Sequence, residues 1–515
     1  MESYPSKKSN NELHEELDNK CNINDPSNMT EKSSQNIDKS KDTDFIKEVR
    51  LAVIGNVDSG KSTLVGCLTK NIKDDGRGYA RKFVFNYPHE NETGRTSSIA
   101  EEILGFKDFK PLEIGRANDK KNISWKEISE KSDHVITMID LCGHEKYLKT
   151  TMYGVTALIP DYAMILIGTN MGVQRMTKEH LGIVLSLNIP FFIVFTKIDI
   201  APQDVKEKTI NTFTTLIKNG LQKTVYPVKN TDDAHACSEA ILGGMVVPVF
   251  QTSTVTGEGL DNLKYFLARL VPRHSSMVPE SLIKNPDDPV EMMLDSAFNT
   301  KVGIIHAGVL ISGTMKVGDK FLYGPTNDGQ MKPIQIKNIQ FLRTDVNEIK
   351  CGNSCSLKLK SLDKSYDLTT DNFRKGMVIV PMNNSTYPSK EFEIEALIVH
   401  HSSTIKVGYQ SVIHCNVVRQ TATIMEMSKE FMRAGDSGII KFKFLKAPEF
   451  LHIGDTVLFR EGRTRGKGKI IKLYPYDAKA INSEKEKIKL EQKKKLMTSK
   501  KIQSKNENYN DKNKK

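Results

Sequence analysis

Between residues 47 and 273 the chain alternates short, unbroken apolar runs with longer stretches of helical periodicity. The apolar runs are LAVIG at 51–55, VITMIDL at 135–141, YAMILIGT at 162–169, FFIVFTKID at 191–199 and VVPVFQTS at 246–253. Strands without polar alternation are buried on both faces, and helices between them supply the crossovers. The pattern therefore predicts a mostly parallel sheet under two helical layers. From about residue 287 the texture changes to short alternating segments punctuated by glycine, such as GVLISGTMKVGDKFLYG at 308–324. Such segments predict an antiparallel barrel. A second block of the same kind opens at EFEIEALIVHH (391–401) and closes near Leu473, with PMNNSTYPS (381–389) as the linker. The expected fold class is α/β over 47–275, followed by antiparallel β-barrel domains at 286–386 and 389–475. No internal repeat is visible.

The flanks read differently. Residues 1–46 are rich in Asn, Ser, Lys and acids and nearly free of aromatics, so they are expected to be disordered. Residues 476–515 form a basic tail, expected to be disordered as well. At 515 residues the chain is too long for one core, and about three folded units are expected. The net charge of +12 is unevenly placed: residues 1–44 carry six lysines against ten acids, and 484–515 twelve lysines against five acids. A basic body with a basic tail suits a polyanionic partner, most simply RNA. No run of eighteen apolar residues exists, so no membrane partner is expected, and the N-terminus lacks the apolar region of a secretory signal. Seven scattered cysteines suit a reducing, cytoplasmic compartment; Cys351 and Cys355, the close pair, have no histidine pair at zinc spacing and read as structural.

The candidate chemistry begins where LAVIG runs into G-x-x-x-x-G-K-[ST] and then into the apolar helical pattern of Leu64, Val65 and Leu68. Strand, glycine loop and helix are the context a phosphate-binding loop requires, and a glycine turn without a ligand is the plainer alternative. Backbone amides across Gly55, Asn56, Val57, Asp58, Ser59, Gly60, Lys61, Ser62 and Thr63 would cradle phosphates, helped by the helix N-terminus. Lys61 would reach the β- and γ-phosphates, and Ser62 would bind Mg²⁺. Later motifs choose the base. TKID at 196–199 closes a sheet strand, where Asp199 can accept both N1–H and N2–H₂ of guanine, a donor pair adenine lacks. The stem of Lys197 can lie along the base, and Thr196 stands where asparagine is usual, its hydroxyl supplying part of the amide's bonding. Gln251-Thr252-Ser253 ends the next strand, and a backbone amide at Ser253 would contact guanine O6. Asp140-Leu141-Cys142-Gly143-His144 fits D-x-x-G: Asp140 would hold Mg²⁺ through water and the amide of Gly143 would sense the γ-phosphate. His144 would orient the attacking water; packing at the sheet mouth is its plainer role. Thr96 in ETGRTSS is the candidate threonine that closes over Mg²⁺, with Ser97 and Ser98 offering similar chemistry.

In order, GNVDSGKST, GRTSSI, DLCGHEKYLKTT, TKID and QTSTVTGEGL resemble a translational GTPase. DDGRGYARKF (74–83), MTKEHLG (176–182), VRQTATI (418–424) and FREGRTRGKGKI (459–470) are similar to the GTP-binding protein 1/2 branch, relatives of elongation factor Tu and elongation factor 1-alpha. TKID is also that branch's habit. The resemblance covers about residues 47–475. It implies a P-loop GTPase domain with a mostly parallel sheet, then two antiparallel barrels. It also implies hydrolysis of GTP to GDP with Mg²⁺, the ribosome with aminoacyl-tRNA or other RNA as partners, and a monomer. It leaves the segment between Leu104 and Lys131 without a role. The rival reading is a GTP-switched RNA-binding scaffold in mRNA turnover or ribosome rescue. An ATP-dependent transferase borrowing the same domain is opposed by Asp199.

Overall fold

A computed structural model describes residues 47–112, 125–273, 282–301, 303–461 and 464–476. The two flanks expected to be disordered lie outside these residues, apart from Tyr476.

The first strand, β1 (Lys47–Gly55), shows why its sequence reads as continuously apolar. Leu51 and Val53 face a core shared with Leu64, Leu68, Leu263 and Phe266. Ala52 and Ile54 face the opposite core, with Met152, Leu181 and Phe213. Both faces are covered along Leu51–Ile54, which keeps that run apolar, whereas Glu48, earlier in the strand, is buried only with hydrogen-bond partners. Chain order continues with α1 (Lys61–Lys70), α2 (Pro88–Thr93), β2 (Ala100–Lys107), β3 (Lys110–Pro111), α3 (Trp125–Lys131), β4 (His134–Asp140), α4 (Leu148–Ala157) and β5 (Tyr162–Gly168). Then come α5 (Arg175–Ser186), β6 (Phe191–Thr196), α6 (Gln203–Thr215), β7 (Thr224–Pro227), α7 (Thr231–Ala240), β8 (Val246–Gln251) and α8 (Leu260–Leu267).

The eight strands form one sheet in the order β3-β2-β4-β1-β5-β6-β8-β7. Strands β4, β1, β5, β6, β8 and β7 run parallel, whereas β2 is antiparallel to β4 and β3 to β2. The five apolar runs are all strands of this sheet. The segment between Leu104 and Lys131 supplies the antiparallel edge and α3; residues 113–124 within it are outside the described set.

Two barrels follow. In the first, β9 (Glu291–Thr300), β10 (Gly303–Ser312), β12 (Lys320–Gly324), β13 (Lys332–Phe341), β16 (Ser354–Ser361) and β17 (Val378–Pro381) close into a ring, because β12 pairs with both β13 and β17. Three short strands, β11 (Thr314–Lys316), β14 (Thr344–Val346) and β15 (Glu348–Lys350), lie outside that ring. Cys351 and Cys355 are buried in its core. In the second, β18 (Ser389–His400), β21 (Ser437–Phe444), β20 (Val418–Met427), β19 (Gln410–Cys415), β22 (Thr456–Glu461) and β23 (Thr464–Pro475) close in that order. Closure of this second ring leaves none of its six strands as a sheet edge.

Polar contacts bind the units together. Buried Glu48 of β1 accepts from the amide and the hydroxyl of Ser354, each at 2.8 Å, and from Thr137 at 2.7 Å. Glu179 of α5 holds Arg460 at 3.2 Å and also Arg465 of the second barrel. Among the described residues no helix is long and apolar enough to cross a membrane.

Candidate nucleotide-binding site

The site lies at the carboxyl edge of the sheet, where β1, β4, β6 and β8 deliver their following loops. After Gly55 the chain turns through Asn56–Gly60 and starts α1. The carbonyl of Asn56 gathers the loop, accepting from Ser59 Oγ at 2.9 Å and Lys61 Nζ at 2.8 Å. Helix α1 has no side-chain cap and no acid in its first turn, so its amide end is left to an anion. Lys61 is buried; burial lowers its pKa, and the nearby carboxylate of Asp140 works against that loss of charge.

Three oxygens converge beside it. Ser62 Oγ donates to Asp140 Oδ2 at 2.6 Å and lies 2.8 Å from Thr96 Oγ1, and Thr96 donates to the same carboxylate at 3.4 Å. Burial pushes Asp140 up to about 6, while Lys61 and the two hydroxyls pull the other way. Its second oxygen, Oδ1, is buried with no partner among the described residues. Two hydroxyls, one carboxylate and an orphaned carboxylate oxygen are a donor set that fits a hard divalent cation. Of the three hydroxyl candidates after Arg95, Thr96 is the one that faces Ser62. Ser97 and Ser98 turn instead to Glu90.

Gly143 has a steric reason to be glycine. A Cβ there would stand 2.6 Å from Lys61 Nζ and 2.7 Å from the Asn56 carbonyl. His144 follows, half-buried, and caps the short helical turn Glu145–Tyr147 by accepting the Lys146 amide on Nδ1 at 3.0 Å. That bond leaves Nε2 as the protonated nitrogen of the neutral ring. His144 lines one cavity with Lys61, Ser62, Thr96 and Gly143.

On the base side, Thr196 ends β6 and is buried, with Oγ1 donating to the Ser59 carbonyl at 2.8 Å. The hydroxyl thus ties the base motif to the phosphate loop. Lys197 takes a left-handed backbone (φ 61°), and the carbonyls of Thr196 and Lys197 accept from Thr169 at 2.9 and 3.0 Å. Asp199 is exposed at the loop surface. Ser253 is fully buried; its amide donates to the Glu258 carbonyl at 3.0 Å, and its hydroxyl accepts from the amides of Val255 and Thr256. In this geometry Ser253 shapes the turn after β8, and its own amide is committed to the Glu258 carbonyl rather than to the O6 contact expected of it.

No motif or spacing marks Glu90. It has no exposed surface and accepts from the amides of Asn86, Tyr87, Ser97 and Ser98 and from the hydroxyls of Ser97 and Ser98. That hub folds the 86–98 segment so that Thr96 meets Ser62. Asp74 and Arg81, which brace and border the same cavity, were missed too. ETGRTSS places hydroxyls where a cation would be held, but nothing in HENE shows which acid points inward.

The elongation factor Tu GTP binding domain family matches residues 47–273. The chain is 43% identical to GTP-binding protein 1 of Xenopus laevis over 434 residues, which span 84% of this chain and 64% of that protein. It is 39% identical to human GTP-binding protein 2 over 437 residues, spanning 84% of this chain and 70% of that one. The fold is similar to that of translation elongation factor SelB from Methanococcus maripaludis, solved with the GTP analogue GppNHp. The TM-score is 0.58 at 18% identity, over 84% of this chain and 80% of that one.

Proposed function

The chain belongs to the GTP-binding protein 1/2 branch of the translational GTPases, and on that premise we propose that it hydrolyses GTP as an elongation-factor-like protein acting on the ribosome. The observation that carries this is the meeting of Ser62, Thr96 and Asp140 beside Lys61, because it joins three separate motifs into one phosphate site. Ser62, Thr96 and the free oxygen of Asp140 would hold Mg²⁺, which neutralises phosphate charge when bound. Lys61 and the amides of 55–63 hold the triphosphate, and Asp199 with Lys197 and Thr196 selects guanine over adenine. Gly143 brings its amide toward the γ-phosphate, and His144 turns Nε2 toward the water that attacks it. GDP and phosphate leave. We take aminoacyl-tRNA or another RNA as the further partner, the cytoplasm as the compartment and a monomer as the working form.

Hydrolysis by positioning places the weight on the rate rather than on binding. His144→Ala should therefore leave GTP affinity nearly unchanged and cost about 10²–10⁴-fold of the ribosome-stimulated rate. Single-turnover hydrolysis with and without saturating ribosomes tests this. Turnover that ribosomes do not raise at all would favour the RNA-binding scaffold. A mutant as fast as wild type on ribosomes would make His144 a packing residue.

A further inference from the structure

The candidate phosphate cavity contains a positive charge to which none of the roles described above is assigned. Arg81 sits on the short helical turn Ala80–Phe83 and lines the same cavity as Lys61, Ser62, Thr96, Gly143 and His144. Its guanidinium is half-buried and has no hydrogen-bond or ion-pair partner among the described residues. Arg175, Arg374, Arg460 and Arg465, in contrast, each meet a carboxylate. Arg95 also borders the cavity, but from an exposed position.

The base of this side chain is fixed. Asp74 is buried, and its carboxylate accepts from the amides of Gly76 at 3.0 Å, Gly78 at 3.1 Å and Ala80 at 2.9 Å. The Ala80 carbonyl lies directly on Gly66 of α1, where a Cβ would stand 2.2 Å from it. The turn carrying Arg81 is thus bolted to the helix that the phosphate loop opens. The head of the side chain lies against Gly94, two residues before Thr96, where a Cβ would be 2.7 Å from Nη2. A partly desolvated guanidinium held between the phosphate loop and the Thr96 segment, with no carboxylate to neutralise it, is poised for an anion.

We propose that Arg81 is an arginine supplied in cis to the γ-phosphate of GTP, stabilising the charge that builds on its oxygens during hydrolysis. This rests on the GTPase reading above. In the step itself, the oxygen of water bonds to the γ-phosphorus as the bond from that phosphorus to the β–γ bridging oxygen breaks. The electron pair stays on GDP, and the proton of water goes to the released phosphate. Arg81 forms no bond in this step; its fork of N–H donors meets equatorial and bridging oxygens as they gain charge. It gives the chain a hydrolysis rate of its own before any ribosome is engaged.

The test uses the full chain without ribosomes, as wild type, Arg81→Ala and Arg81→Lys. Single-turnover hydrolysis at saturating GTP should fall on the order of 10³-fold in Arg81→Ala, the low end of the range for arginine fingers. Lysine should not rescue it, since a point charge lacks the fork. GDP affinity should stay within about twofold, because GDP lacks the γ-phosphate whose developing charge Arg81 meets. Capture of GDP with aluminium fluoride, which mimics the transferring phosphoryl group, should be lost with the rate. Wild-type hydrolysis in Arg81→Ala would overturn the proposal, as would equal losses of GTP and GDP affinity with an unchanged rate at saturation. A wild-type chain that binds no GTP would instead overturn the functional reading on which the proposal stands.

Discussion

Thr196 illustrates how a residue can fit a motif for a reason the motif does not state. Where asparagine is usual, a buried threonine hydroxyl here donates to the Ser59 carbonyl and so ties the base motif to the phosphate loop. Asp199, exposed and two residues beyond left-handed Lys197, is free to turn both oxygens to a base edge. Asp199→Asn replaces one acceptor with a donor at no cost to packing. GTP affinity should fall and XTP affinity rise, because xanthine carries oxygen at C2 where guanine carries an amine. Competition of the two nucleotides for the mutant reads this directly, and unchanged GTP binding would place the base elsewhere. At this scale, the candidate phosphate and guanine residues were legible because that chemistry demands particular groups at fixed spacing. Glu90, Asp74 and Arg81 were not, because each acts by pointing inward, and an acid or arginine that points inward reads the same in sequence as one that points to water.

At the scale of elements, the five strands stood out because burial on both faces leaves an unbroken apolar run. Strand β2 did not: AEEILGFK mixes acids with apolar residues because it lies near the sheet edge, and only its pairing with β4 reveals its antiparallel course. The 86–98 segment carries the most consequential unread contact. Glu90 Oε1 accepts from Ser97 and Ser98, and Oε2 from the amides of Asn86 and Tyr87. In Glu90→Gln the amide nitrogen must face backbone donors whichever way it is turned, and hydrogen bonds to a charged acceptor are each worth about 1.5–3 kcal/mol. Thr96 would then lose its hold over Ser62 and Asp140. The affinity of GTP with Mg²⁺ should drop on the order of tenfold or more relative to GDP, which does not need the closed segment. Stopped-flow binding of fluorescent GTP and GDP analogues measures the ratio, and an unaltered ratio would show that Thr96 closes without Glu90.

At the scale of the whole molecule, the number and kind of domains followed from texture, but their mutual fastening did not. Glu48 and Ser354 lie 306 positions apart, and no periodicity links them. The same is true of His452, which joins the two barrels. Its Nε2 lies 3.3 Å from Glu291 of β9, and its Nδ1 lies 3.7 Å from Asp455. Burial opposes the imidazolium, but the two carboxylates outweigh it and raise His452 to about 10 from an ordinary value of 6.5. A folded-state value above the unfolded one means that the charged ring binds its proton more tightly in the native protein. The stabilisation is then complete below pH of about 6.5, declines as pH rises, and is gone once pH passes about 10. His452→Gln should accordingly lower the melting temperature most at pH 6, progressively less through pH 8 and 9, and not at all above pH 10 by this route. Thermal melts of both proteins across that range give the test. A gap of constant size at every pH would mean that His452 supports the junction by packing alone, and that the carboxylates of Glu291 and Asp455 hold no charge on it.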